Sequence, residues 1–215
     1  VYLFRREVLD KALWEDRQRK GSSHDFGKDI LSRLIKSKTR VFAYPYSGYW
    51  MDVGTLASYW QAHMDLLAPS PHLKLYNRSW IIHTRTAERP PARFPAKGKV
   101  YASMICDGCF IEEGATVESS VLSPGVIVRS GAVVRESIVL TDAEIRSGAV
   151  VERSVLDKQA RVEEHARVGW GVTDQNIRIA LVGKGSVVPS GYVVEPEAEI
   201  GTDVIQSDYP DPTIR

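Results

Sequence analysis

The chain has 215 residues, 43% hydrophobic and 26% charged, with a formal net charge of +1. That length supports one large domain or two small ones with enough apolar material for a core, and the charge balance gives no reason to expect nucleic acid or an anionic membrane surface as a partner. The longest apolar runs are only a few residues, too short to cross a bilayer, and no signal peptide is visible, so the expected location is the cytoplasm.

The opening "VYLF" reads as an apolar strand begun midway, which suggests a piece of a longer protein. "EVLDKALWEDRQ" then places Val8, Leu9, Leu13 and Trp14 at helical spacing. "SSHDFGKDILSRLIKSK" offers Asp25 as the N-cap of a second helix, with Ile30, Leu31, Leu34 and Ile35 as its apolar stripe. "RVFAYPY" reads as a short strand. Thr55 caps a third helix, "TLASYWQAHMDLL", with Leu56, Tyr59, Trp60, Met64 and Leu67 on one face. Residues 69–99 form a connector rich in proline, which forbids long helices and favours an extended path. Its Arg85, Arg89, Arg93, Lys97 and Lys99 make a basic cluster that can meet small anions.

From residue 100 the text becomes periodic, with a repeat of 17 residues. Ile105, Leu122, Val139 and Leu156 form one row. Ile111, Val128, Ile145 and Val162 form a second, and Val117, Val134, Val151 and Val168 a third. Serines repeat with them at 103, 120, 137 and 154, alanines at 115, 132, 149 and 166, and glycines at 114, 131 and 148, a row that ends in His165. The anchors within a repeat are six, six and five residues apart. Three anchors per repeat imply three short strands per turn, a triangular parallel β-helix. After "GWGVTDQNIRIA" the pattern resumes at Val182, Val188, Val194 and Ile200. Cys109 shares a row with Val126, Ala143 and Ala160, so "CDGC" is read as two structural thiols, Cys106 and Cys109, in a reducing compartment rather than a redox or zinc site.

A β-helix does not fix a function. A hexapeptide-repeat acyltransferase needs a histidine base beside a coil face, and the repeats hold only His165, in a turn row. A zinc carbonic anhydrase needs about three convergent histidines, which are absent. The third class is a sugar nucleotidyltransferase with a β-helix after its catalytic domain, and the first 68 residues decide for it.

"SSHDFGKDIL", "GYWMDVGTLASYWQAHMDLL" and "YNRSWIIHTRTAERPPARF", followed by the repeats, strongly resemble the glucose-1-phosphate adenylyltransferase family. The resemblance implies the C-terminal part of an α/β nucleotidyltransferase domain at 1–68, a Pro-rich connector at 69–99 and a left-handed β-helix of the hexapeptide type at 100–215. It implies transfer of the adenylyl group of ATP to glucose 1-phosphate, giving ADP-glucose and pyrophosphate, in bacterial glycogen synthesis. The family's sugar-phosphate pocket maps onto Tyr2, Asp25, Phe26, Trp50 and Asp52, and Asp52 is also the expected Mg2+ ligand. Met51 stands where many members have a polar residue, at a variable position. The nucleotide-binding loop and the sugar-phosphate lysine are expected upstream of Val1, so this portion alone is expected to be inactive. The resemblance also implies a homo-oligomer, a tetramer when intact, and control by small metabolites. The alternatives are a noncatalytic regulatory or scaffolding subunit of the same family, which would tend to lose the acidic residues kept here, or a hexapeptide-repeat acyltransferase.

The residue types suit that chemistry. A carboxylate accepts two strong hydrogen bonds from a pair of sugar hydroxyls, and an aromatic plane covers the apolar face of the ring. Attack of one phosphate on another brings two anions together, so charge neutralisation and positioning carry most of the catalysis.

Overall fold

The computed structural model describes residues 1–84, 87–97, 99–171 and 177–215. It divides into two compact units, Val1–Gly48 and Tyr49–Arg215.

The first unit is helical. Helix α1 runs Arg6–Arg17. A π-helical turn, Phe26–Leu31, leads directly into the short helix α2, Ser32–Lys36. Asp25 caps this pair as expected, its side chain accepting the Lys28 backbone N–H. The buried side chains are Ala12, Asp16 and Ile30. The α1 stripe expected from the sequence is only partly used: Leu13 and Trp14 are exposed, while Ala12 and Asp16 face inward. The expected strands at 1–4 and in "RVFAYPY" are not formed; both segments are irregular, and Phe42 and Tyr44 stand almost fully in solvent. Alternating apolar residues make a strand only where a neighbour accepts the ladder hydrogen bonds, and no described residue of this unit does.

The second unit is the solenoid. Among the described residues, its strands form three parallel sheets of seven, six and five strands. Every predicted row is a register line. Val117 pairs with Val134, and Val134 with Val151. Leu122 pairs with Val139, and Val139 with Leu156. Val128 pairs with Ile145, and Ile145 with Val162. The register survives the intervening loop, since Leu156 pairs with Val182 and Val162 with Val188. These aliphatic residues fill the interior at 0% exposure, and the alanine row joins them at no more than 1%.

The corners explain the remaining rows. Gly114, Gly131 and Gly148 take positive φ, and His165 continues the line at φ 59°. A second corner line runs through Ala102, Ser119, Glu136 and Arg153, all non-glycine at positive φ. The serine after each of these compensates. The Ser103 hydroxyl accepts the Ser120 N–H, Ser120 that of Ser137, and Ser137 that of Ser154, at 3.1, 3.1 and 3.2 Å. Each hydroxyl donates to the carbonyl two residues before it. The ladder therefore satisfies buried N–H groups coil by coil.

Helix α3, Leu56–Leu66, lies on the outside of the six-stranded sheet. Thr55 and Ser58 close a capping box at its start. Its apolar face packs on Ile138, Val155 and Ile179, outward positions of the coils that are at most 4% exposed. The Trp60 indole N–H donates to the Glu136 carbonyl at 2.6 Å. The connector joins the same unit: Arg93 bridges Phe110 in the coil register, and Ala92 packs against the interior.

Candidate functional site

The predicted site residues fall in both units. In the first, Tyr2 and Phe26 come together, their rings stacked at 5.8 Å and 12°. Phe4 meets the Phe26 ring edge-on at 6.1 Å. Tyr2 is also in the wall of an open cavity of about 550 Å³ with Leu3, Phe4 and Leu34. Asp25 and Phe26 are not among its lining residues.

Asp25 is exposed and tightly placed. Its Oδ1 accepts the Lys28 N–H at 2.7 Å, and its own N–H donates to Asp29 Oδ2 at 3.1 Å. The same Asp29 oxygen accepts the Ser23 hydroxyl at 2.6 Å and the Ser23 N–H at 3.1 Å. The Ser23 hydroxyl, ahead of the Asp25 N–H, holds the Asp29 carboxyl below its ordinary pKa. A Cβ on Gly27 would stand 3.3 Å from Asp25 Oδ1, a close contact from which the carboxylate would have to shift.

In the second unit, Trp50 and Asp52 lie in an irregular segment, both exposed. Asp52 Oδ1 accepts the Gly54 N–H at 3.2 Å, an Asx turn that leads into the Thr55 cap. A Cβ on Gly54 would again lie 3.3 Å from that oxygen. Thus "DFG" and "DVG" share one device: a glycine two residues on leaves room for the carboxylate to fold over the backbone. Tyr49 anchors this segment. Its hydroxyl donates to Asp65 at 3.0 Å and its ring stacks on His72. Burial, then the Asp65 carboxylate, pushes the Tyr49 pKa up.

The basic cluster of the connector is partly engaged. Arg89 forms a bidentate pair with Asp142 at 2.6 and 2.8 Å, and Arg93 lies over the Phe110 ring at 5.4 Å. Arg85 lies outside the described residues. The "CDGC" thiols are both free, Cys109 buried and Cys106 exposed. Burial raises both thiol pKa values, the opposite of an activated thiolate.

Residues 1–68 match the nucleotidyl transferase family model, and residues 90–189 match that of the GlmU-like C-terminal hexapeptide. The solenoid is accordingly a left-handed β-helix. Among curated proteins, the glucose-1-phosphate adenylyltransferase of Fusobacterium nucleatum is 41% identical over 112 residues, 52% of this chain and 29% of the relative. That of Geobacillus stearothermophilus is 42% identical over 120 residues, 56% and 30% of the two chains. That of Fervidobacterium nodosum is 37% identical over 135 residues, 56% and 32%. This chain is similar to glucose-1-phosphate adenylyltransferases. It spans about a third of the length of these relatives. No helix among the described residues is long and apolar enough to cross a membrane.

Sequence reasoning passed over Asp16, Asp29 and Tyr49, which hold the motif segments in place. Asp16 and Asp29 look like solvated helix charges in the sequence, and Tyr49 like an ordinary aromatic, until the segments fold and bring their partners to them.

Proposed function

We propose that the protein carrying this chain transfers the adenylyl group of ATP to glucose 1-phosphate and releases pyrophosphate. The supporting observation is the similarity, near 40% identity, to relatives named for that reaction. In the first unit, Tyr2, Asp25 and Phe26 are read as sugar-phosphate groups. In the second, Trp50 offers an exposed aromatic face to a sugar ring, and Asp52 an exposed carboxylate.

Magnesium fits the donor chemistry of Asp52. Among the described residues, the carboxylate accepts one hydrogen bond, from the Gly54 N–H, which leaves acceptor capacity on both oxygens. Magnesium is commonly held by one or two carboxylates together with substrate phosphates and water, so a single well-placed aspartate suffices from this segment. When bound, the ion supplies neutralisation of phosphate charge. The chain's own contribution is to hold the carboxylate at a fixed turn, with Gly54 beneath it and the Thr55 cap behind it.

The test is pyrophosphate release by the intact protein with both substrates varied. Asp52→Asn keeps size and removes charge, so kcat is expected to fall about a hundredfold. Trp50→Ala is expected to raise KM for glucose 1-phosphate more than KM for ATP. Near-normal turnover in the Asn variant ends the metal-ligand reading, and an equal rise in both KM values ends the sugar-side reading of Trp50.

A further inference from the structure

We propose that Asp16 is a positioning residue: its buried carboxylate braces the loop at 22–25 and thereby presents Asp25 and Phe26 to the sugar phosphate. The inference rests on the reading of Asp25 and Phe26 given above.

Asp16 sits near the end of α1 and is 2% exposed, a rare position for a carboxylate. It is not left unpaired. Oδ2 accepts the His24 Nδ1 hydrogen at 2.8 Å, and Oδ1 accepts the Arg33 guanidinium at 3.1 Å. The Ser22 hydroxyl lies 3.0 Å from each oxygen. The second Arg33 nitrogen reaches back to the Ala12 carbonyl at 2.6 Å, so α1 and α2 are stitched together. The His24 imidazole, ahead of the other donors, holds the Asp16 carboxyl below its ordinary value.

Arg33 ties the carboxylate to α2. Two of the three side-chain partners instead belong to the loop, immediately before Asp25. The Ser22 hydroxyl also accepts the His24 backbone N–H at 3.1 Å. His24 itself is at φ 56°, a left-handed conformation that residues with a Cβ disfavour. Asp16 therefore grips the residue whose unusual backbone sets the direction of Asp25. From the other side, Asp29 takes the N–H groups of Ser23 and Asp25. Two carboxylates fix the loop backbone, while the Asp25 side chain stays at the surface and the Phe26 ring stacks on Tyr2.

The experiment is steady-state kinetics on the intact protein with Asp16→Asn, Asp25→Ala, the double variant and Ser22→Ala, well below each melting temperature. Asp16→Asn is expected to raise KM for glucose 1-phosphate about tenfold, as expected when a binding group is loosened, with kcat and KM for ATP nearly unchanged. The double variant is expected to exceed Asp25→Ala by clearly less than the effect of Asp16→Asn alone, because Asp16 acts in part through Asp25 and in part through Phe26. Additive effects, or a fall in kcat with KM unchanged, overturn the proposal. If Asp16→Asn does not fold, Ser22→Ala keeps the Asp16–Arg33 pair and is expected to give a smaller rise in the same KM; no rise overturns it. If Asp25→Ala itself leaves that KM unchanged, the sugar-side reading has failed. The brace is then read by amide hydrogen exchange at His24 and Asp25, expected to be faster in Asp16→Asn; unchanged protection overturns it too.

Discussion

The coils of the solenoid and the segment at 22–29 both hold backbone N–H groups with side-chain oxygens, but by opposite means. In the coils a single serine position does so repeatedly, each hydroxyl taking the N–H of the next coil. In the loop, Asp16 and Asp29 each serve several donors once, with no second copy. Repetition makes the coil tolerant, because a coil's interactions are nearest-neighbour ones. The loop has no such redundancy, and that suits a segment that must hold side chains at one geometry.

The largest effect that sharpens this contrast is in the solenoid interior. Leu122 is fully buried between coils, so Leu122→Ala is expected to cost about 2–5 kcal/mol. Leu34, only half-buried in the first unit, is expected to lose less than half as much in Leu34→Ala. Urea melts followed by circular dichroism, with unchanged m-values, measure both. Equal losses would mean that the first unit packs as tightly as the coils.

The contrast also explains what is legible in the sequence. A 17-residue repeat multiplies each signal, so Leu122, Val139 and Leu156 identify one another by spacing alone. Helix α3 is legible as an amphipathic helix with a Thr55 cap. Its partner is not, because a stripe says that a face is buried and not against what; Ile138 and Val155 read simply as outward strand positions. In the loop, Asp25 is legible as a cap, and as a site residue only through the resemblance. Asp16 is not legible, since its partners meet only after His24 adopts positive φ. "RVFAYPY" misleads because its composition suits a strand while its environment offers no ladder.

A middle-sized effect tests the serine ladder. Ser137→Ala removes the acceptor of the Ser154 N–H and the donor to the Arg135 carbonyl. The Arg135 carbonyl still accepts the Arg153 N–H, so the cost comes mainly from the unpaired Ser154 N–H and is expected to be about 1–3 kcal/mol. Ser120→Ala removes the equivalent bonds one coil earlier and is expected to cost nearly the same. A wide gap between the two in parallel melts would show that the coils are not equivalent.

The smallest effect lies on the outer surface of the five-stranded sheet, where Arg129 joins Glu112 and Glu144 across three coils, each contact at 2.7 Å. These side chains are partly solvated, so Arg129→Gln is expected to cost at most about 1 kcal/mol at neutral pH and less at high salt. The Arg129 guanidinium holds the Glu112 carboxyl below its ordinary value. A carboxyl with a depressed folded-state pKa contributes stability that is present above the unfolded-state value and lost as pH falls through the folded-state one. Wild type and Arg129→Gln should therefore differ most above about pH 5 and converge as pH drops below the ordinary glutamate value of about 4.3. Melts at several pH values, at low and high salt, measure the gap. A difference that stays constant on acidification would mean that Arg129 acts through packing of its stem rather than through Glu112.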